Sequence, residues 1–253
     1  MKHRRRIWDS VAQDYDTIWE VPDYTPILRS IVRYARIDLG MKVLDVATGT
    51  GIVGIGVSKR VGEYGMVLGI DFSKPMLKQA VKKAKARSLH NIDFILGDVH
   101  NLPFPQEYFD AVTSCFTFAF LSNPQKVANE MARVVTYGGR VVFVEWEKPP
   151  LDFWAEQREK GDIRDFPESE LIKILHNSGF RKIRTKRIQV SHRRPNVSEE
   201  SVKKSQLLAA KMMGLKEDEA EGFFQRVREE YDKLPPERKH GWLPVLYAGI
   251  KRK

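Results

Sequence analysis

The sequence contains 253 residues, 42% of them hydrophobic and 30% charged, and its formal net charge at pH 7 is +10. This composition is typical of a globular protein with a hydrophobic core, and no apolar run approaches the roughly 20 residues that would span a bilayer. The basic N-terminus lacks the apolar stretch of a secretory signal. Cys115 is the single cysteine, which excludes an intrachain disulfide and a cysteine-based metal site. We therefore expect a cytoplasmic protein with no membrane span and no metal.

Apolar residues at helical spacing predict one amphipathic helix over residues 5–20 and a second over residues 24–36. Short apolar runs and helical segments then alternate along the chain. The predicted strands are residues 43–47, 66–71, 91–96, 108–114 and 140–146, and the helices between them are residues 52–61, 74–87 and 123–134. This alternation is typical of parallel βαβ units, so we predict an α/β fold with a doubly wound sheet.

The pattern is looser after Pro149 and Pro150. It predicts a helix over residues 166–177, a sixth strand over 181–190, two helices within 198–232 that break near Gly214, and a last strand over 242–250. We expect a single domain over residues 1–253. Its parts would be an N-terminal helical cap (1–36), a Rossmann-like core (37–194), a helical insertion (195–240) and the last strand of the core sheet (241–253). The insertion would be a lid over one end of the sheet, or would only pack against it.

Residues 42–54, KVLDVATGTGIVG, join a buried strand to a helix through a glycine turn. Such a turn places backbone N–H groups and a positive helix end beside one small space. Gly49, Gly51 and Gly54 satisfy G-x-G-x-x-G, which alone is a weak dinucleotide signal. Asp71 lies 20 residues past Gly51 at the end of the second strand, where a carboxylate can bind a ribose diol. That spacing suits NAD and any other adenosine ligand equally well.

Three features favour a cationic ligand over a pyrophosphate. Asp45 lies three residues before Thr48, where a carboxylate is poorly placed beside a pyrophosphate and well placed beside a positive charge. Asp98 follows the third strand and can accept a hydrogen bond from an adenine amine. Predicted helices fill the segment before the first strand, whereas many dinucleotide-binding domains begin with that strand. A ligand with an adenine, a ribose and a cationic amino-acid tail fits these features, and S-adenosylmethionine is such a ligand.

At these positions the sequence resembles the class I S-adenosylmethionine-dependent methyltransferases, and most of all the C-methyltransferases of ubiquinone and menaquinone biosynthesis. The likeness covers roughly residues 8–146. The matching pieces are WDSVAQDYD (8–16), VLDVATGTG (43–51), GIDFSKPML (69–77), GDVHNLPFPQEYFDAV (97–112) and VVFVEWEKP (141–149). The resemblance implies a seven-stranded Rossmann-like methyltransferase fold whose last strand is antiparallel. It also implies an enzyme that uses S-adenosylmethionine and releases S-adenosylhomocysteine.

The resemblance further implies which residues bind this cofactor. One of them, Tyr15, lies in the predicted first helix. The others lie at or after the ends of four predicted strands and are Asp45, Ala47, Gly49, Gly51, Asp71, Phe72, Met76, Asp98, Val99 and Ser114. Asp71 would hold the ribose hydroxyls and Asp98 would read the adenine edge. The Ser114 backbone would bind the methionyl ammonium group, and Tyr15 would close over the site. Ala47 stands where many members of the family have a glycine.

A general base is needed only if the acceptor has to lose a proton before methylation. The candidates are His100, Glu145 and Tyr15. Each also has a structural interpretation: His100 as an ordinary loop histidine, Glu145 as a loop cap, and Tyr15 as part of the pocket wall. Residues 115–122, CFTFAFLS, carry three phenylalanines and predict an apolar or flat acceptor.

The acceptor is the open half of the reaction, and the sequence favours a small-molecule or lipid-like compound, with a quinone among the candidates. Residues 120–123 read FLSN, where the quinone enzymes usually carry an arginine-asparagine pair, so the quinone itself stays open. An RNA methyltransferase is the alternative, because 19 Lys and Arg against 10 Asp and Glu follow residue 180. Residues 113–116 read TSCF and lack the Asn/Asp-Pro-Pro-Tyr/Phe turn, which disfavours methylation of an exocyclic amine. The methylated atom and the oligomeric state also stay open.

Overall fold

The computed structural model describes residues 2–20, 23–146, 164–190, 196–213, 215–233 and 244–252. The strands in these ranges are β1 (Lys42–Val46), β2 (Met66–Asp71), β3 (Ile92–Leu96), β4 (Phe109–Cys115), β5 (Val135–Trp146), β6 (Phe180–Arg187) and β7 (Pro244–Lys251). The α-helices are α1 (Lys2–Val11), α2 (Thr17–Glu20), α3 (Thr25–Ala35), α4 (Ile52–Val61), α5 (Lys74–Ala86), α6 (Pro124–Val134), α7 (Glu168–Asn177), α8 (Glu199–Met212) and α9 (Glu217–Lys233). A short 3₁₀ helix spans Phe118–Phe120.

The strands form one sheet in the order β3-β2-β1-β4-β5-β7-β6. The pairs among β1 to β5 are parallel, whereas β7 lies between β5 and β6 and is antiparallel to both. The predicted doubly wound α/β fold with an antiparallel last strand is therefore confirmed. The first four predicted strands agree with β1 to β4 within one residue at each end.

Both faces of the sheet are covered at its central strands, which explains why β1, β4 and β7 are almost continuously buried, whereas the edge strand β6 is largely exposed. In β1, Val43 belongs to the hydrophobic cluster on one face, and Leu44 and Val46 belong to the cluster on the other. In β5, Val142 and Phe143 alternate in the same way, and all five side chains are fully buried. Helices α3 and α4 pack on the first face, and α6 and α7 pack on the second.

The predicted first helix, residues 5–20, is wrong as one continuous element. The chain forms α1 and α2, separated by turns over residues 12–16. The Thr17 hydroxyl donates to the Asp14 carbonyl oxygen at 2.6 Å, and the Thr17 backbone N–H donates to the same oxygen at 2.9 Å. The Asp14 N–H likewise donates to the Val11 carbonyl oxygen at 3.1 Å, so bonds across three residues replace the i to i−4 bonds of a helix after α1.

Strands β5 and β6 also differ from prediction. Strand β5 begins at Val135 rather than at residue 140, because Val135 already pairs with Phe109 of β4, ahead of an irregular part that contains Gly138 (φ 80°). The pairing of β4 with β5 shifts register here, which is typical of a bulge. Strand β6 ends at Arg187, three residues before its predicted end, since the next position lies opposite Pro244, the first residue of β7.

Helix α8 of the predicted insertion lies against the N-terminal segment. Leu208 belongs to one small hydrophobic cluster with Val11, Ala12 and Met76, and the Lys211 ammonium donates to the Ser10 carbonyl oxygen at 3.0 Å. The two predicted helices of the insertion are present as α8 and α9, while Gly214, the predicted break, and the start of the last strand at residue 242 lie outside the described residues. The division into cap, core and insertion stays a prediction. No helix within the described ranges is long and apolar enough to cross a membrane.

Candidate active site

A cavity of about 570 Å³ lies at the edge of the sheet where the parallel strands β1, β2 and β4 end. Eight of the eleven predicted cofactor residues line it: Tyr15, Ala47, Gly49, Asp71, Phe72, Met76, Asp98 and Val99. The structure therefore brings together residues that the sequence spreads over more than 80 positions. The other three, Asp45, Gly51 and Ser114, lie behind its wall.

The glycine turn is shaped by two glycines with different roles. Gly49 has a φ of 56° and open space around its Cα, so it serves the left-handed backbone of the turn. Gly51 has a φ of 80°, and an added Cβ would lie 2.9 Å from the Ala80 Cβ and 3.0 Å from the Phe94 ring. Gly51 therefore lets α5 and β3 approach the turn closely, and it supports the cavity from behind.

Asp45 binds the chain itself. Its Oδ2 accepts from the Thr48 hydroxyl at 2.7 Å and from the Gly54 N–H at 3.1 Å, and its Oδ1 accepts from the Thr113 hydroxyl at 2.8 Å. Burial raises the pKa of Asp45 to about 6 although these three bonds act in the opposite direction. The carboxyl group thus ties β1, the turn, α4 and β4 together. Its predicted proximity to a cationic ligand stays a prediction.

Ser114 is fully buried, and its hydroxyl donates to the Val46 carbonyl oxygen of the neighbouring strand at 2.9 Å. This bond fixes the end of β4 against the end of β1.

Asp71 reaches the cavity from the end of β2. Its Oδ2 accepts from the Gly49 N–H and its Oδ1 from the Ser73 N–H, each at 2.9 Å. Burial raises the pKa of Asp71 above its ordinary value, while these bonds favour the charged form. A carboxylate has about four lone-pair sites, so the backbone donors leave room for a ribose hydroxyl. The apolar Phe72, Met76 and Val99 line the cavity beside it and suit an adenine ring. The residues present therefore fit S-adenosylmethionine.

Asp98, His100 and Ser122 form a chain of hydrogen bonds along the cavity wall. The Asp98 Oδ1 lies 2.7 Å from the His100 Nδ1 and also accepts from the His100 backbone N–H at 2.9 Å. The Nε2 of the same ring lies 3.1 Å from the Ser122 hydroxyl. Partial burial acts to raise the pKa of Asp98, but the bonds from His100 outweigh it and hold that pKa below its usual value. The imidazole is thus oriented from both sides.

Glu145 lies behind the cavity wall. Its Oε1 accepts from the backbone N–H groups of Thr117 and Phe118, each at 2.6 Å. Burial raises the pKa of Glu145 to about 7, opposed by these bonds. The carboxyl group caps the first turn of the 3₁₀ helix, so it positions the 115–122 segment, and its predicted role as a base stays a prediction.

Aromatic rings form the other wall. Phe116 and Phe120 line the cavity, whereas Phe118 is fully buried and stacks on Phe143 at 4.2 Å. Trp8 meets the Phe120 ring edge-on at 5.1 Å. Two of the three phenylalanines of the 115–122 segment are thus available to a ligand, and the third holds the segment to the core.

The N-terminal segment is fastened across the cavity by acidic side chains. Asp9 accepts from the Ser73 hydroxyl at 2.6 Å, and Asp16 accepts from the Thr50 hydroxyl at 2.6 Å and from the Lys83 ammonium at 2.5 Å. Trp8, Asp9 and Asp16 were missed as site residues, although WDSVAQDYD was among the matching pieces of sequence. Arg5 also lines the cavity without having been predicted, whereas Cys115 and Leu121 line it as part of the predicted 115–122 segment.

Tyr15 lies in the turn between α1 and α2 and lines the cavity. Burial raises the pKa of the Tyr15 phenol, so this side chain stays protonated at neutral pH. Its ring packs edge-on against Trp8 at 6.0 Å. The predicted position of Tyr15 over the site fits this geometry.

The family model of the ubiE/COQ5 methyltransferase family matches residues 2–160. The chain belongs to this family. The demethylmenaquinone methyltransferase of Geobacillus stearothermophilus is 36% identical over 149 residues, which are 58% of this chain and 64% of that protein. The enzyme of the same name from Geobacillus sp. (strain WCH70) is 31% identical over 208 residues, 71% of this chain and 89% of that one.

Among solved structures, a SAM-dependent methyltransferase from Aquifex aeolicus is 27% identical, with a TM-score of 0.60, and the match covers 73% of this chain and 94% of that one. Together with membership of the ubiE/COQ5 family, this likeness confirms the prediction of an S-adenosylmethionine-dependent methyltransferase. The roles of individual site residues stay predictions.

Proposed function

We propose that this ubiE/COQ5 family member methylates a ring carbon of a flat, lipid-like acceptor of the quinone type. The observation that carries the proposal is one continuous cavity of about 570 Å³ in which the predicted cofactor residues face an aromatic wall. Two relatives named demethylmenaquinone methyltransferase support the same acceptor class.

In this proposal S-adenosylmethionine supplies a methyl group on a positively charged sulfur, and the chain supplies binding and alignment. Asp71 accepts hydrogen bonds from the ribose hydroxyls. Phe116, Phe120 and Trp8 hold a flat ring by its faces and edges and exclude water from it. Since the rings of Phe120 and Trp8 contact each other, the N-terminal segment and the 115–122 segment would enclose the acceptor together.

His100 is the best placed of the three predicted bases. Asp98 binds its Nδ1, which leaves the Nε2, now facing Ser122, to accept a proton from an acceptor hydroxyl. Glu145 is occupied by backbone N–H groups behind the wall, and burial keeps Tyr15 protonated.

The acceptor contacts would differ from those of the compared quinone enzymes at residues 120–123. Asn123 does not line the cavity, since its Oδ1 accepts from the Lys126 N–H at 3.0 Å and caps α6. Ser122 and its neighbours Phe120 and Leu121 line the cavity here instead. A neutral hydroxyl and apolar surface suit an uncharged ring, which supports the acceptor class and leaves its substituents open.

The test combines cofactor binding with methyl transfer to a short-chain demethylmenaquinol. Titration calorimetry should show S-adenosylmethionine binding that weakens about tenfold or more in Asp71→Ala, because charge-assisted hydrogen bonds contribute about 1.5–3 kcal/mol. Asp93→Ala, at an exposed position on β3, is the matched control and should bind normally. Mass spectrometry should place one added methyl group on a ring carbon of the quinol. Methylation of tRNA with no methylation of the quinol would contradict the proposal and support the RNA alternative.

A further inference from the structure

A second cavity, of about 330 Å³, lies at the opposite edge of the sheet from the candidate active site. It is lined by five cationic side chains, together with Tyr34, Ala248 and Ile250: Arg33, Arg36, Arg140, Lys182 and Arg184. No aspartate or glutamate is among its lining residues. The proposed methyl transfer uses none of these groups.

Two parts of the fold bring the cations together. Arg33 and Arg36 come from the C-terminal end of α3, where Arg36 has a left-handed backbone with a φ of 53°. The other three come from the sheet. Arg140 follows the irregular part of β5 and pairs with Ile250, and Arg184 pairs with Ala248 on the far side of β7. Lys182 lies at the register shift of β6, where a bulge redirects the side chain.

The positive charge of this cavity is uncompensated in the described part of the chain. None of the five side chains forms an ion pair there, and the one polar bond is from the Arg140 guanidinium to the Tyr34 carbonyl oxygen at 3.4 Å. Burial, together with the charges of Arg36 and Arg184, lowers the pKa of Arg140. The negative end of α3 stabilises Arg33 and Arg36, but it does not account for three further cations that the sheet directs at the same space.

We propose that this cavity binds a phosphate-bearing group, either on a free small molecule or on a lipid headgroup. Guanidinium groups match phosphate oxygens with paired hydrogen bonds, and four of the five cations are arginines. The concave shape lets side chains from α3, β5 and β6 converge on one anion. Because the cavity and the cofactor pocket lie at opposite edges of the sheet, the anion site is separate from the methyl-transfer site.

The test uses the full chain without S-adenosylmethionine and inorganic pyrophosphate as the probe. Titration calorimetry should show one pyrophosphate bound per chain, and Arg36→Gln with Arg184→Gln should weaken binding about tenfold or more, because the variant loses two guanidinium groups that line the cavity. The matched control removes two exposed lysines of α5, Lys78→Gln with Lys82→Gln, and should change the affinity by less than about twofold. Thermal melting of both double variants checks that they are folded.

A second arm identifies the source of the phosphate. Sedimentation compares binding to phosphatidylglycerol vesicles with binding to phosphatidylcholine vesicles. If the ligand is a lipid headgroup, the chain should bind the phosphatidylglycerol vesicles, the cavity variant should lose this binding and the control should keep it. If the cavity variant loses only pyrophosphate binding, and the control keeps it, the ligand is a free phosphorylated compound. If the cavity variant loses only vesicle binding, and the control keeps it, the ligand is a lipid. Equal effects of the cavity and control variants, or no binding in either arm, would overturn the proposal. These outcomes do not depend on the methyl acceptor, so they are separable from a failure of the proposed function.

Discussion

Ala47 and Phe116 have left-handed backbones, with φ of 54° and 53°, directly after the neighbouring strands β1 and β4. A residue with a Cβ rarely adopts this conformation, which costs about 1–2 kcal/mol. Both residues line the candidate active site. The chain therefore accepts backbone strain where its two central strands open into the cavity.

We expect Ala47→Gly to stabilise the protein slightly, by about 0.5 kcal/mol. Relief of about 1–2 kcal/mol of strain exceeds the roughly 0.4–1 kcal/mol that glycine adds through the unfolded chain. Urea denaturation measures the change. Ala84→Gly in the helix α5 is the control and should destabilise by about 1 kcal/mol. If the two substitutions destabilise equally, Ala47 is not strained.

At the level of the element, the N-terminal segment depends on Asp16. This carboxylate joins the segment to the glycine turn at Thr50 and to α5 at Lys83. Asp14, two residues earlier, makes an ion pair at 3.0 Å with Lys204, and both of those side chains are largely exposed. The two acids therefore differ in their partners: Asp16 bonds to the glycine turn and α5, whereas Asp14 bonds to α8.

We expect Asp16→Ala to weaken S-adenosylmethionine binding about tenfold while lowering global stability much less. The substitution leaves the Lys83 ammonium, whose pKa burial already lowers, without its anion, so the segment should detach locally. Hydrogen exchange of residues 2–20 and titration calorimetry measure the two effects. Asp14→Ala should leave both unchanged, since an exposed ion pair contributes little. Unchanged exchange in the Asp16 variant would show that the segment is held by packing alone.

The elements that the sequence predicts well are those with strong local patterns. Strands β1 to β4 and helices α4 to α6 have clear apolar runs, glycine turns and caps, such as Ser73, whose hydroxyl accepts from the Met76 N–H. The insertion of β7 between β5 and β6 has no local signal, and only the family resemblance predicted its direction. The break after α1 is made of turn bonds, from Asp14 to Val11 and from Thr17 to Asp14, which apolar spacing does not reveal.

The same distinction applies to the candidate site. Asp71 and Gly49 were predictable because both follow strands whose ends meet. Whether Asp45 or Glu145 faces the cavity depends on which backbone N–H and hydroxyl groups lie within about 3 Å, a tertiary property that spacing does not contain. The basic cavity was not predicted, since its residues come from α3, β5 and β6 and form no motif.

At the scale of the whole molecule, the cofactor end contains three buried carboxyl groups whose pKa burial raises. They are Asp45, to about 6, Glu145, to about 7, and Asp71. Their hydrogen-bond donors are neutral N–H and hydroxyl groups. A raised folded-state pKa contributes stability that is present below the unfolded pKa and is lost as the pH rises through the folded value. The free energy of unfolding should therefore fall between about pH 5 and pH 8.

Glu145→Gln should flatten this decline. The pKa of Glu145 rises from its ordinary value of 4.5 to about 7 in the folded protein. Glu145 should therefore account for roughly 2–3 kcal/mol of the free energy of unfolding that is lost between pH 5 and pH 8. Glutamine keeps an oxygen that accepts from Thr117 and Phe118 and has no charge to desolvate. Urea denaturation at several pH values gives the profile, with the exposed Glu63→Gln as the control. Parallel profiles for the Glu145 variant and the unchanged protein would contradict the assignment.

The double use of Ser73 affects how often the enzyme can turn over. Its hydroxyl caps α5, which carries Met76, and also donates to Asp9 of the N-terminal segment. If S-adenosylhomocysteine leaves beneath this segment, the bonds of Asp9 and Asp16 break in every cycle. We expect product departure to be slower than the chemical step, with a burst of one methyl transfer per chain before the steady state. The residence time of the spent cofactor would then set the rate of the reaction.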